Sequence, residues 1–320
     1  MKKIFNYKIL IINTITIVFS ICVLNFVIYF LNKKTDPYFK ENFIGICKEY
    51  HNFMTRDISE NATYQNLIKN ENFRQIENKN LISYSKPIIL FGCSFAYGTG
   101  LEENETFSHK LGLLTKQPIY NRAMGGWGVQ HMLYQLEHQD FYKEIKKHDS
   151  SKAPEYIIYL MFNHHKFRMF LPACLFHDPC YDVYYNQDKK TKEFKLRKRT
   201  FFTDKIVFCY PIFCKFFDFI SFIFPDKIDS LFYDYLVACK KAQEKNLPSS
   251  KFVIIFYDKY PELSDEYMEK LRQDGFILMK TEDFGIDVTE ETYQLPDTHP
   301  NALVWETITP QIVEKLRIKE

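Results

Sequence analysis

The sequence predicts an α/β fold: three layers, α/β/α, built on a parallel five-stranded sheet and preceded by one N-terminal transmembrane helix. Three observations predict it. Short apolar runs bounded by turn residues alternate with segments of helical periodicity, the pattern of buried parallel strands covered on both faces. Polar, chemistry-bearing residues follow the first three of those runs directly, where open α/β sheets place their sites. Ahead of all this, Ile9 to Leu31 is a run of 23 residues without a charge, enough to cross the roughly 30 Å hydrocarbon core as a helix.

Lys2, Lys3 and Lys8 precede the apolar run, while Lys33 and Lys34 behind it are soon diluted by Asp36 and Glu41. That bias favours a cytoplasmic N-terminus with the rest of the chain outside, in the periplasm or extracellular space. A cleaved signal peptide is the rival reading. The run is longer than a usual signal core, however, and Ile28-Tyr29-Phe30-Leu31 offers no small-x-small cleavage site. Residues 1–34 therefore read as a single-pass signal anchor. Residues 35–84 are rich in Asn, Glu and Lys and read as a polar juxtamembrane spacer.

The domain proper spans 85–320. Ile88 to Phe91, closed by Gly92, is a first buried strand, and Thr106 to Leu114 a helix. Ile119 to Asn121 is a second strand. Val129, Met132, Leu133 and Leu136 then mark one face of a helix. Tyr156 to Met161, Phe252 to Tyr257 and Phe276 to Met279 supply three more strands, with a helix over Leu263 to Arg272 between the last two. A final helix starts near Ala302, capped by Asn301.

Between the third and fourth strands lies an aromatic-rich insertion at about 169–250. Its Ile206 to Phe224 stretch is apolar enough to raise a second membrane segment, but Pro211, Lys215 and Asp218 interrupt it. A central charge costs about 2.5–3.5 kcal/mol on an insertion scale, so a buried or membrane-surface helix is expected. Ordinary core is the plain assignment, and a lid over acyl chains the functional one.

Net charge is +2, which leaves no global field to recruit nucleic acid. Lys189 to Arg199 is a local basic exception, read as a solvated loop, with anionic headgroups as the sharper alternative. Cys174 with Cys180 and Cys209 with Cys214 are close in sequence, yet equally fit free buried thiols, and no disulfide is assigned. No Cys-x-x-Cys occurs and no Cys/His set has structural-zinc spacing.

The chemistry lies in four segments. Gly92-Cys93-Ser94-Phe95 follows the first strand, and Asp297-Thr298-His299-Pro300-Asn301 precedes the last helix. A serine becomes a nucleophile when a histidine takes its proton and a carboxylate orients that histidine. Between them, Asn121-Arg122-Ala123-Met124-Gly125-Gly126 and Phe162-Asn163-His164 offer donors for an oxyanion. The order points to a serine hydrolase.

Taken together, Gly92-x-Ser94, the Asn121 to Gly126 stretch, Asn163 and Asp297-x-His299-Pro300-Asn301 resemble the SGNH (GDSL-like) hydrolase family over roughly 86–168 and 252–318. Phe91 to Gly100, Gly126 to Leu133, and a His-x-x-Arg at His165 to Arg168 resemble a bacterial, membrane-anchored branch of it. The resemblance implies a flavodoxin-like sheet order and a catalytic triad of Ser94, His299 and Asp297. It further implies an oxyanion hole made by the Ser94 and Gly126 backbone N–H groups and the Asn163 amide. The substrate it implies is an acyl ester of carbohydrate or lipid, with no cofactor and no metal. His165 reads as structural or substrate-facing, and Arg168 equally as a sheet-edge salt-bridge partner or as a clamp on an anionic substrate. Here Gly-Cys-Ser-Phe replaces Gly-Asp-Ser-Leu, His164 takes the place of the usual Asp, and Asp-x-His is one residue shorter than the common Asp-x-x-His.

Two other classes compete. One is a catalytically inactive SGNH-like module that binds or organises envelope polysaccharide. The other is a metal-dependent phosphoesterase using His164, His165, Asp297 and His299, against which stands the lack of a dense carboxylate cluster beside those histidines.

Overall fold

The computed structural model describes residues 86–138, 153–162, 164–169, 184–188, 190–197, 225–257 and 263–317. The Ile9 to Leu31 run, the 35–84 spacer, the Ile206 to Phe224 stretch and the cysteines at 174, 180, 209 and 214 lie outside them. Among the described residues no helix is long and apolar enough to cross a membrane, and Cys93 and Cys239 are free thiols.

Strands β1 (Ile88–Phe91), β2 (Ile119–Asn121) and β3 (Tyr156–Met161) come first. A hairpin of β4 (Tyr184–Gln187) and β5 (Phe194–Arg197) follows, then β6 (Lys251–Phe256) and β7 (Ile277–Lys280). Five of them form one sheet in the order β2-β1-β3-β6-β7, and every pairing in it is parallel. The α/β class and the parallel five-stranded sheet expected from the pattern are both present. The expected Phe252 and Phe276 starts differ from the strands by one residue.

Every residue of β1 and β3 is buried, which is why these segments read as continuous apolar runs and not as alternating ones. Alternate residues go to opposite faces. Ile88, Leu90, Ile158, Leu160, Val253 and Ile255 pack on one side with α1 (Ser94–Tyr97), α2 (Phe107–Thr115) and a helix over Ala302–Leu316. Ile89, Phe91, Ile157, Tyr159, Ile254 and Phe256 pack on the other with α3 (Val129–His138). After β3 come α4 (His164–Arg168), α5 (Pro225–Asn246), α6 (Asp265–Gln273) and the last helix, α7.

Local sequence sets the helix starts. Thr106 Oγ1 accepts the His109 N–H at 3.2 Å, so the expected first residue of α2 is instead its cap. Asn301 Oδ1 accepts the N–H groups of Leu303 and Val304 at 3.1 and 3.4 Å, capping α7 as expected.

The region read as an insertion at about 169–250 contains an integral part of the fold. Adjacent parallel strands such as β3 and β6 need a crossover between them, and α5 lies on that connection. Its Ile228, Phe232, Tyr235, Leu236 and Cys239 are buried in the second core. The basic stretch expected to be a loop supplies the turn and second strand of the hairpin. Phe194 packs its ring 4.0 Å from that of Tyr235, while Lys192 pairs with Asp234 at 2.9 Å.

Candidate active site

Ser94 stands where the first strand ends. Gly92 passes beneath α1 so closely that a Cβ on it would lie 2.6 Å from Ala96 Cβ and 3.0 Å from the Leu160 carbonyl oxygen. Cys93, Phe95 and Ala96 are buried around Ser94, which is itself half-buried. Gly98, at φ 82°, closes the turn by donating its N–H to the Ser94 carbonyl at 2.9 Å.

Asn121 fixes this turn from the end of β2. Its side chain is buried, donating to the Ala96 carbonyl at 2.8 Å and to Ser108 Oγ at 3.2 Å, and accepting the Ala123 N–H at 3.1 Å. One amide thus joins the loops after β1 and β2.

The Asp-x-His segment is a small closed loop. Gln294 and Pro300 form an antiparallel bridge, and the Leu295 N–H donates to the His299 carbonyl at 2.7 Å. Within it Thr298 has φ 69°, the left-handed region, unusual for a β-branched residue. That twist turns the short spacing to use. Asp297 Oδ1 accepts the His299 backbone N–H at 3.1 Å, and its Oδ2 lies 3.0 Å from His299 Nδ1. The second contact has ion-pair distance but not the direction of a formed hydrogen bond, since Nδ1 has no hydrogen-bond partner of acceptable geometry. Asp297 is 59% exposed at its side chain and His299 22%.

A left-handed conformation costs an ordinary residue about 1–2 kcal/mol, less for Asn. Thr298→Asn is therefore expected to raise the thermal midpoint by roughly 1–4 °C, at about 2–4 °C per kcal/mol for a domain of this size. A differential scan checks it; a fall would mean the threonine side chain contributes more than its backbone costs.

Phe95 brings the separated segments together. Its ring lies 5.2 Å from the His299 imidazole, edge-on, and 4.5 Å from the ring of Phe162. The neighbour of Ser94 therefore touches both the histidine and the residue preceding Asn163. Asn163 itself and the His164 side chain lie outside the described residues. Among the described residues no hydrogen bond joins the Ser94 hydroxyl to the His299 ring. Such bonds are often loose without substrate.

The Ser94 and Gly126 N–H groups donate to no carbonyl or side chain among the described residues, which leaves both available to an anionic oxygen. Gly126 has φ 76°, a conformation glycine adopts without penalty.

The two candidate substrate-facing residues both make contacts within the protein. His165 is fully buried, with Nδ1 2.6 Å from the Tyr159 hydroxyl. Burial pushes the Tyr159 phenol well above its ordinary range, so the phenol stays protonated and donates. Arg168 directs Nη1 to the Trp127 carbonyl at 2.8 Å. Tertiary packing claims the His165 side chain, whereas Arg168 stays partly exposed. Among the described residues no group of three or more His, Cys, Asp and Glu could hold a metal ion.

No family model and no curated protein matches the chain. Solved structures similar to it include an acetyl xylan esterase, Est2A, from the rumen bacterium Butyrivibrio proteoclasticus, at 10% identity and TM-score 0.43. The match covers 73% of this chain and 64% of that one. A family two carbohydrate esterase from Clostridium thermocellum, solved with cellohexaose, gives 11% identity, TM-score 0.43, and coverage of 73% and 66%. A G-D-S-L family protein from Desulfitobacterium hafniense DCB-2 is matched over 100% of its length, covering 73% of this chain at 8% identity and TM-score 0.42. The chain thus spans about two thirds of the two carbohydrate esterases. These likenesses are distant, and the functional reading rests on this chain's own residues.

Proposed function

We propose that this protein is a membrane-anchored serine esterase of SGNH type that hydrolyses or transfers acyl groups of carbohydrate or lipid esters. The observation that carries the reading is the Phe95 ring contact. It puts the imidazole of His299, near one end of the sequence, beside the residue that follows Ser94. Chain segments some two hundred residues apart converge there, on the C-terminal side of the sheet.

In this reading Ser94 Oγ attacks the ester carbonyl carbon while its proton passes to His299 Nε2, the ring nitrogen turned away from Asp297. Asp297 orients the ring and stabilises its cationic form. The oxyanion is held by the Ser94 and Gly126 N–H groups and the Asn163 amide. The C–O bond to the alcohol breaks, and the alcohol leaves with the proton from His299. Water or a second alcohol then delivers its own proton to His299 and attacks the acyl carbon; the bond to Ser94 Oγ breaks, Oγ takes that proton back from His299, and the acid or new ester leaves. No cofactor enters. The 9–31 segment would hold the N-terminus in the cytoplasm and this domain outside, at a surface where such esters occur.

The second reading, an inactive SGNH-like module that binds envelope polysaccharide, is favoured by one observation: the missing hydrogen bond between Ser94 and His299. Labelling the full chain in detergent with a fluorophosphonate probe separates the two. Wild type should label, whereas Ser94→Ala should not. Equal labelling of both proteins, or none of wild type, removes the catalytic assignment.

A further inference from the structure

Gly126 sits on the connection between β2 and α3, and an oxyanion donor is useful only if its N–H is fixed before the charge develops. This connection is short of regular structure. The Trp127 N–H turns back to the Met124 carbonyl at 3.2 Å, and side chains hold the rest.

The Trp127–Gly128 peptide is held at both poles. Its carbonyl accepts Arg168 Nη1 at 2.8 Å, and its N–H donates to Nδ1 of the buried His131 at 3.1 Å. Nδ1 is thereby an acceptor, so His131 is neutral with its proton on Nε2. The His131 ring stacks on Trp127, with centroids 5.1 Å apart and planes 7° from parallel. A charged donor at the oxygen polarises the amide and strengthens the bond its N–H makes.

Arg168 is itself held firmly. It ends α4, a helix anchored one turn earlier by buried His165 on Tyr159. The intervening Lys166 pairs with Asp229 at 3.0 Å, both side chains little exposed. The Arg168 carbonyl accepts Gln130 Nε2 from α3 at 2.7 Å. Contact is close enough that a Cβ on Gly128 would fall 3.1 Å from Arg168 Cβ and 2.8 Å from Gln130 Oε1.

We propose that Arg168 is the positioning residue of the oxyanion loop. From the segment after β3, its guanidinium fixes the Trp127–Gly128 peptide, two peptide units beyond the one that carries the Gly126 N–H, and so limits how that N–H can turn. The catalytic consequence rests on the esterase reading; the structural one rests on the geometry alone. A planar fork suits this work better than a lysine, whose ammonium is a compact, strongly hydrated point charge.

The test compares full-length wild type, Arg168→Ala and Arg168→Lys by hydrogen–deuterium exchange and by hydrolysis of p-nitrophenyl acetate. The hydrogen-bonded Trp127 and Gly128 amides in Arg168→Ala should exchange at least about tenfold faster while β1 and β3 keep their protection. Its kcat should fall roughly 10–100-fold with KM nearly unchanged, short of the 10²–10³ lost when a donor is removed outright. Arg168→Lys should recover part of the loss, and added guanidinium ion part of that in Arg168→Ala. Unchanged exchange at Trp127 and Gly128 overturns the proposal, as does loss of protection throughout the sheet. A raised KM with intact kcat would instead make Arg168 a substrate contact. Should wild type prove inactive on this ester and unlabelled by fluorophosphonate, the esterase reading falls and the exchange measurement alone decides the loop assignment.

Discussion

Removing the His299 imidazole should lower turnover of a small acyl ester by about 10⁴–10⁶-fold, the range lost when a triad histidine is deleted. Among the described residues no other base is found in this cluster: Phe95 and Phe162, which pack there, carry none, and buried His165 is bonded to Tyr159. His299→Ala should still fold, because the Asn301 cap and the 294–300 bridge do not use the imidazole. Asp297→Asn should behave differently. Its carboxylate is 59% exposed and not in line for a hydrogen bond with Nδ1, so water screens its charge. Asparagine also keeps the oxygen that accepts the His299 N–H. A loss of about 10–100-fold is expected, well below the ~10⁴ seen where a triad aspartate is buried. Single-turnover and steady-state rates check both values. Full activity in His299→Ala would end the triad assignment, and equal losses in the two variants would refute the screening argument.

The second large effect is on stability. Gly92→Ala would place a methyl 2.6 Å from Ala96 Cβ and 3.0 Å from a backbone oxygen of β3. Neither neighbour is the end of a flexible side chain, so α1 must lift from the sheet. Overpacking of this kind costs about 1–3 kcal/mol, a fall in thermal midpoint of roughly 2–12 °C for a domain of this size. Because α1 begins with Ser94, fluorophosphonate labelling should slow as well. An unchanged midpoint would show that α1 moves aside freely.

Much of the sheet could be read in advance because strands buried on both faces are apolar without interruption, as Tyr156 to Met161 shows. Capping residues such as Asn301 were legible for a similarly local reason. The long helix α5 was missed although its signal is present. Ile228, Phe232, Tyr235, Leu236 and Cys239 recur at helical spacing, but charged residues between them and the aromatic run before them disguised it. At the site, residue types showed which segments carry chemistry. They could not show that Thr298 adopts a left-handed conformation and so lets a one-residue spacer bring carboxylate to imidazole. Nor could they show that His165 is fully buried while Arg168, partly exposed, reaches the Trp127 carbonyl, since a histidine or arginine after a strand looks the same facing in or out. Arg168 had one legible hint: Gly128, a residue without a side chain at the place where the arginine crosses.

The order of the sheet has a consequence for how copies of this chain meet one another. Its two flanks are short strands, β2 with three residues and β7 with four, while the six-residue β3 and β6 lie inside. An intruding strand would find only a few rungs on which to continue the ladder, too few to hold it against thermal fraying. Among the described residues the longest strands are thereby kept inside the sheet, where both of their edges are already paired.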